Sequence, residues 1–140
     1  MSDDNKELKS KNGFVEIKDD GKEKRTRVYD LEERTFQFTK NVCHFTKRLK
    51  KTTSNFEYTK QVIRSSGSVG ANYIEANEGL GKKDFIMRIR ISRKESKESA
   101  YWLRLIVETN EPDIKTEGLT LYNEAIESKK IFSSILLKSV

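Results

Sequence analysis

A chain of 140 residues fits one domain better than two, and at 34% hydrophobic and 36% charged it is too polar for a membrane protein but suits amphipathic helices that bury one stripe. No apolar run approaches the roughly 18 residues of a spanning helix and residues 1–11 carry no apolar export signal, so a cytoplasmic location and no membrane partner are expected. The single cysteine, Cys43, excludes an internal disulfide, and with the single histidine, His44, it supplies too few ligands for a structural zinc site.

The net charge of +6 is unevenly placed. Residues 1–39 hold nine basic and ten acidic side chains, residues 40–104 hold fifteen and six, and residues 105–140 hold four and six. The whole excess of positive charge lies in the middle of the chain, as an electrostatic footprint for a polyanion would.

Residues 1–28 are polar apart from Phe14, Val15 and Ile17. Such a segment buries too little to offset its ordering entropy and is expected to be a flexible, disordered tail, with pairing of the apolar patch as a short strand, or its docking on a neighbour, as the alternatives. From Asp30 the period changes. Leu31, Thr35, Phe38, Val42, Phe45 and Leu49 alternate spacings of four and three, a heptad seam on a first helix ending near Lys51. Thr52 to Asn55 is a polar connector with capping residues. A second seam runs through Val62, Ser66, Val69, Tyr73 and Ala76, and its Ser65, Ser66, Gly67, Ser68, Gly70 and Ala71 point to close approach of a neighbouring backbone.

Gly79-Leu80-Gly81 ends that helix, and a third spans residues 82–109 with the seam Phe85, Ile89, Ser92, Ser96, Ser99, Leu103 and Ile106. Pro112 breaks the chain. A fourth helix, residues 116–138, carries Leu119, Tyr122, Ala125, Ile126, Phe132, Ile135 and Leu136. Four amphipathic helices with short connections over residues 29–140 predict an all-α, antiparallel up-and-down four-helix bundle.

Motifs for chemistry fail at identifiable positions. A P-loop would need glycine where Ala76 stands and Ser or Thr where Lys83 stands; a dinucleotide fingerprint would need glycine in place of Asp84. A di-iron Glu-x-x-His pair would need glutamate in place of Asn41. Cys43 and His44 are about 100° apart on a helix and cannot act as nucleophile and base, and nothing pairs Glu75, Glu78, Glu95 or Glu98 with a catalytic partner. No enzyme activity, cofactor, metal or small-molecule substrate is expected.

What remains is charge. Lys83, Arg90, Lys97 and Arg104 recur every seven residues with Lys94 between them and Met87 and Tyr101 completing the stripe, about 160° from the third helix's seam. Lys40, Lys47 and Lys51, with His44 between, repeat the device on the first helix. Solvated faces usually mix signs to gain i, i+4 pairs, so two one-signed stripes leave three readings: a solubilising surface, phosphate contact, or an acidic protein partner.

Three stretches together, Ser68-Val69-Gly70-Ala71-Asn72-Tyr73-Ile74-Glu75-Ala76, Gly81-Lys82-Lys83-Asp84-Phe85-Ile86 and Lys94-Glu95-Ser96-Lys97-Glu98-Ser99-Ala100-Tyr101-Trp102-Leu103-Arg104-Leu105, resemble the bacterial four-helix bundle proteins encoded in intervening sequences of 23S rRNA. That fold is shared by the accessory proteins of diversity-generating retroelements. The resemblance implies a cyclic homopentamer, no known catalysis, and a nucleic-acid or reverse-transcriptase partner. The expected function is a non-catalytic, oligomeric bundle that binds RNA or DNA through the basic outward faces of its first and third helices; the alternative is a scaffold docking an acidic protein such as a reverse transcriptase.

Overall fold

The computed structural model describes residues 14–19, 22–27 and 29–140, with side chains described from residue 31 onward. Strands β1 (Phe14–Asp19) and β2 (Lys22–Arg27) pair antiparallel, Phe14 opposite Arg27 and Asp19 opposite Lys22. The apolar patch Phe14, Val15 and Ile17 thus lies in a strand, and a second strand that the expected tail did not include follows it; residues 1–13, 20–21 and 28 of that tail lie outside the described residues.

Helix α1 (Tyr29–Lys47) is shorter than its seam suggests. The Arg48 and Leu49 amides bond back to the Phe45 and Thr46 carbonyls, three residues earlier, and this tighter winding leads the chain out of the helix. Leu49 stays buried, but Lys51 belongs to the connector and not to α1. Helix α2 (Thr53–Ala76) starts at Thr52, whose extended backbone and side-chain oxygen, accepting from the Asn55 amide at 3.1 Å, form the N-cap. Gly79 (φ 80°) and Gly81 (φ 109°) then take the left-handed conformations that turn the chain into α3 (Lys82–Thr109). A short 3₁₀ turn (Pro112–Ile114) leads to α4 (Lys115–Ser139).

Consecutive helices pack on one another and α1 closes on α4, which makes an antiparallel up-and-down bundle with α1 and α3 on its diagonal. A bidentate ion pair from Arg34 to Glu124 (2.6 and 3.1 Å) ties α1 to α4. The seam positions from Thr35 to Phe45 on α1 and Leu49 just beyond it, from Val62 to Ala76 on α2 and from Ile89 to Ile106 on α3 are buried as expected; Phe85 is half-buried. On α4 the buried positions are Gly118, Leu121, Ala125, Ser128, Phe132, Ile135 and Leu136, while Leu119 lies outside this row and is 37% exposed.

The core divides into two apolar clusters. One holds Phe38, Val42, Phe45, Val62, Leu103 and Ile106, the other Val69, Tyr73, Ile89, Phe132 and Ile135. Between them lie the buried serines. Ser65 and Ser99 share a hydrogen bond of 2.8 Å, the Ser92 hydroxyl donates to the Val69 carbonyl at 2.8 Å, and Ser66 meets Thr39 of α1 at 2.9 Å. Small side chains bring α2 close to α1 and α3, and their hydroxyls find partners, which burial requires. The expected close approach is therefore made inside one bundle, so these serines are not a surface offered to a second chain. Gly70 has the same role, since a Cβ there would sit 2.8 Å from the Thr35 hydroxyl.

Candidate nucleic-acid interface

The basic stripe of α3 follows from where its acids go. Of the four acidic side chains in this helix, Glu95 and Glu98 turn toward α2 and pair with Arg64 at 3.3 and 2.6 Å, and Asp84 pairs with Arg88 at 3.7 Å. Glu108 pairs with Arg104 at 3.2 Å, one turn along the helix. Burial raises the Glu98 carboxyl, but hydrogen bonds from the Trp102 indole and Arg64, with the charges of Arg64 and Lys94, outweigh it and hold that carboxyl below the usual range. The Arg64 guanidinium is correspondingly raised, first by its hydrogen bond to Glu98.

With the acids drawn sideways, the outward face keeps its cations. Lys83, Arg90, Lys94 and Lys97 are exposed and have no ion-pair partner among the described residues. Arg93, one turn from both Arg90 and Lys97, is exposed and unpaired in the same sense and widens the stripe. It escaped the seven-residue count because it lies beside the row. Arg104 is exposed but partly neutralised by Glu108, so the stripe is not free of acid at its carboxyl end. Met87 (46% exposed) and Tyr101 (60%) lie in the row as expected, and Tyr101 meets Trp102 edge-on at 5.0 Å.

Lys40, His44 and Lys47 are exposed on α1, opposite its seam. Lys51 is also exposed but sits in the connector with Lys50, which heptad counting had no reason to include. Because α1 and α3 are diagonal, their outward faces point away from each other, and one bundle does not bring the two sets of cations together. Cys43 is half-buried beside the seam.

A family model for the 23S rRNA-intervening sequence protein matches residues 27–134. The chain belongs to that family. Among solved structures, the 23S rRNA-intervening sequence fold seen here is similar to a protein of unknown function from the S23 ribosomal protein family of Bacteroides thetaiotaomicron VPI-5482, with a TM-score of 0.66, 28% identity, and coverage of 76% of this chain and 97% of that one. No curated protein matches. Among the described residues, no helix is long and apolar enough to cross a membrane.

Proposed function

We propose that this member of the 23S rRNA-intervening sequence protein family is a non-catalytic nucleic-acid-binding bundle, with the outward face of α3 as its principal contact surface. The carrying observation is that every acid of α3 is engaged by an arginine, whereas Lys83, Arg90, Arg93, Lys94 and Lys97 remain exposed and unpaired among the described residues. Cations so placed neutralise phosphates and gain affinity by counterion release, with little reading of base sequence.

The test is a salt series on duplex DNA. Each neutralised phosphate adds about −0.9 to the slope of log affinity against log salt, so about four contacts give about −4. Exchanging Arg90, Lys94 and Lys97 for Glu removes most of that slope, with helicity unchanged because all three side chains are solvated. Equal slopes for the wild type and the folded triple variant would reject the reading.

A second reading is favoured by the exposure of Met87 and Tyr101 on the same face, since aromatic residues and methionine are enriched at protein interfaces. On that reading the face docks an acidic protein, such as a reverse transcriptase. Binding of acidic protein that depends on Tyr101 and survives high salt would select it. We also propose that the bundle acts as a homo-oligomer, a pentamer by family resemblance. Phe36 on α1 and Ile63 and Ile74 on α2 are exposed apolar side chains that a neighbouring chain would cover. A mass by light scattering near the 16.3 kDa of one chain would exclude it.

A further inference from the structure

Where α1 gives way to α2, a cavity of about 180 Å³ opens, lined in part by Lys47, Lys50, Lys51, Asn55, Phe56 and Thr59 and by no acidic side chain. Phe56, which lines this cavity, is 61% exposed and so offers its ring to a ligand. Lys47, Lys50 and Lys51 are exposed and carry no ion-pair partner among the described residues, whereas neighbouring Arg48 is paired to Glu117 and Lys60 to Glu57.

The backbone beneath these side chains is fixed. The buried Asn55 side-chain amide donates to the Lys50 carbonyl at 2.9 Å, tying the connector to α2, and Asn55 and Asn110 exchange reciprocal side-chain amide hydrogen bonds of 2.9 Å that tie the start of α2 to the end of α3. Thr52 caps α2 just before Phe56. The main chain that carries an aromatic ring and three cations is thus fixed before any ligand arrives, which lowers the backbone part of the ordering cost of binding.

We propose that this cleft holds one unpaired base of a single-stranded nucleic acid, its ring against Phe56 and its flanking phosphates on Lys47, Lys50 and Lys51. The inference rests on the reading of the protein as a nucleic-acid binder and adds the class of strand it takes. Bases inside a duplex cover one another's faces and cannot reach an aromatic platform, whereas an unpaired base offers its face, whatever its identity. The cavity is well below the roughly 300–1,000 Å³ of small-molecule pockets, which suits one planar ring. It is built from the end of α1 and the start of α2, so it is separate from the α3 face.

The experiment compares fluorescence anisotropy of a labelled, unstructured single strand with that of the same strand annealed to its complement. Phe56→Ala is expected to weaken the single strand about 5- to 150-fold, the equivalent of roughly 1–3 kcal/mol per stacked base, and to leave the duplex unchanged. Phe56→Trp retains single-strand affinity, and Phe56→Leu loses it as Phe56→Ala does, because bulk without a π face does not stack. Lys50→Gln and Lys51→Gln lower the single-strand salt slope by about 0.7 for each phosphate that is no longer neutralised. The site is overturned if Phe56→Leu binds the single strand like wild type, if Phe56→Ala weakens both probes equally, or if wild type takes only the duplex. It is overturned in favour of an acidic peptide if polyglutamate binds in a Phe56-dependent way. Absence of salt-dependent binding to either probe would end the nucleic-acid reading itself, whereas retained duplex binding confines the failure to this cleft.

Discussion

Two glycines one turn apart in α2 separate close packing from mere flexibility. A Cβ at Gly67 would meet only the Thr39 hydroxyl at 3.8 Å, an ordinary contact, whereas one at Gly70 would meet the Thr35 hydroxyl at 2.8 Å and its Cβ at 3.2 Å. Thr35 cannot easily yield, since it is buried and its hydroxyl is hydrogen-bonded to the Leu31 and Glu32 carbonyls. Gly67→Ala is therefore expected to stabilise by up to about 1 kcal/mol through helix propensity. Gly70→Ala carries the same gain against an overpacking cost of about 1–3 kcal/mol and is expected to destabilise. Denaturant melts of the two variants would show opposite signs; matching signs would mean that α1 and α2 are less tightly apposed than the structure has them. At the same scale, Glu98 links stability to pH. Its carboxyl is lowered in the folded state, so its stabilising effect is present above the ordinary carboxylate range and is lost as pH falls through the depressed value. Because Arg64 is half exposed, the effect is at most about 1 kcal/mol. Glu98→Gln should flatten the acid limb of melting temperature against pH, and an unchanged limb would place the acid sensitivity elsewhere.

At the scale of the helix, the heptad seams of α1, α2 and α3 were legible in sequence because packing around a bundle axis selects one side chain every three or four residues. Val69 sits at the centre of the α2 seam and is fully buried. Val69→Asp would place an unpaired charge there and is expected to unfold the bundle, at a cost of several kcal/mol, with loss of the cooperative melt by circular dichroism. An unchanged melt would mean that α2 is packed in another register. The seam of α4 was harder to read. Its buried row Gly118, Leu121, Ala125, Ser128 and Phe132 keeps the spacing but has glycine and serine at two positions, so the larger Leu119 and Tyr122 mask it. Ser128 is buried with an unpartnered hydroxyl, a choice that apolar periodicity cannot reveal. The end of α1 was misplaced because Leu49 keeps the seam after the helix has stopped, carrying Lys51 with it. Before α1, Asp20-Gly21 after the apolar run Phe14 to Ile17 was the hairpin signal, although charge in β2 hides its alternation. The cations of α3 were identified from their spacing, but their lack of partners depends on Arg64 of α2, which sequence order does not place beside Glu95 and Glu98.

For the molecule as a whole, the diagonal placement of α1 and α3 decides what one bundle can do with a polyanion. A ligand lying along α3 does not touch Lys40 and Lys47 of the same chain unless it wraps around α2 or α4. Independent faces make independent contributions, and perturbations with no shared partner add to within about 0.3–0.5 kcal/mol. A Lys40→Glu, Lys47→Glu variant and the α3 triple variant are therefore expected to lose duplex affinity by amounts that sum in the combined protein, the α3 variant losing more because more of the unpaired cations are there. A salt series on wild type, the two variants and their combination measures this directly. Summation means that each face meets its own stretch of phosphates. If instead the α3 variant already abolishes the contribution of Lys40 and Lys47, a single ligand engages both faces at once. A rigid duplex does not curl around one narrow bundle, so that outcome would require α1 of one chain beside α3 of the next, and coupling between the faces should then vanish wherever light scattering shows single chains of 16.3 kDa.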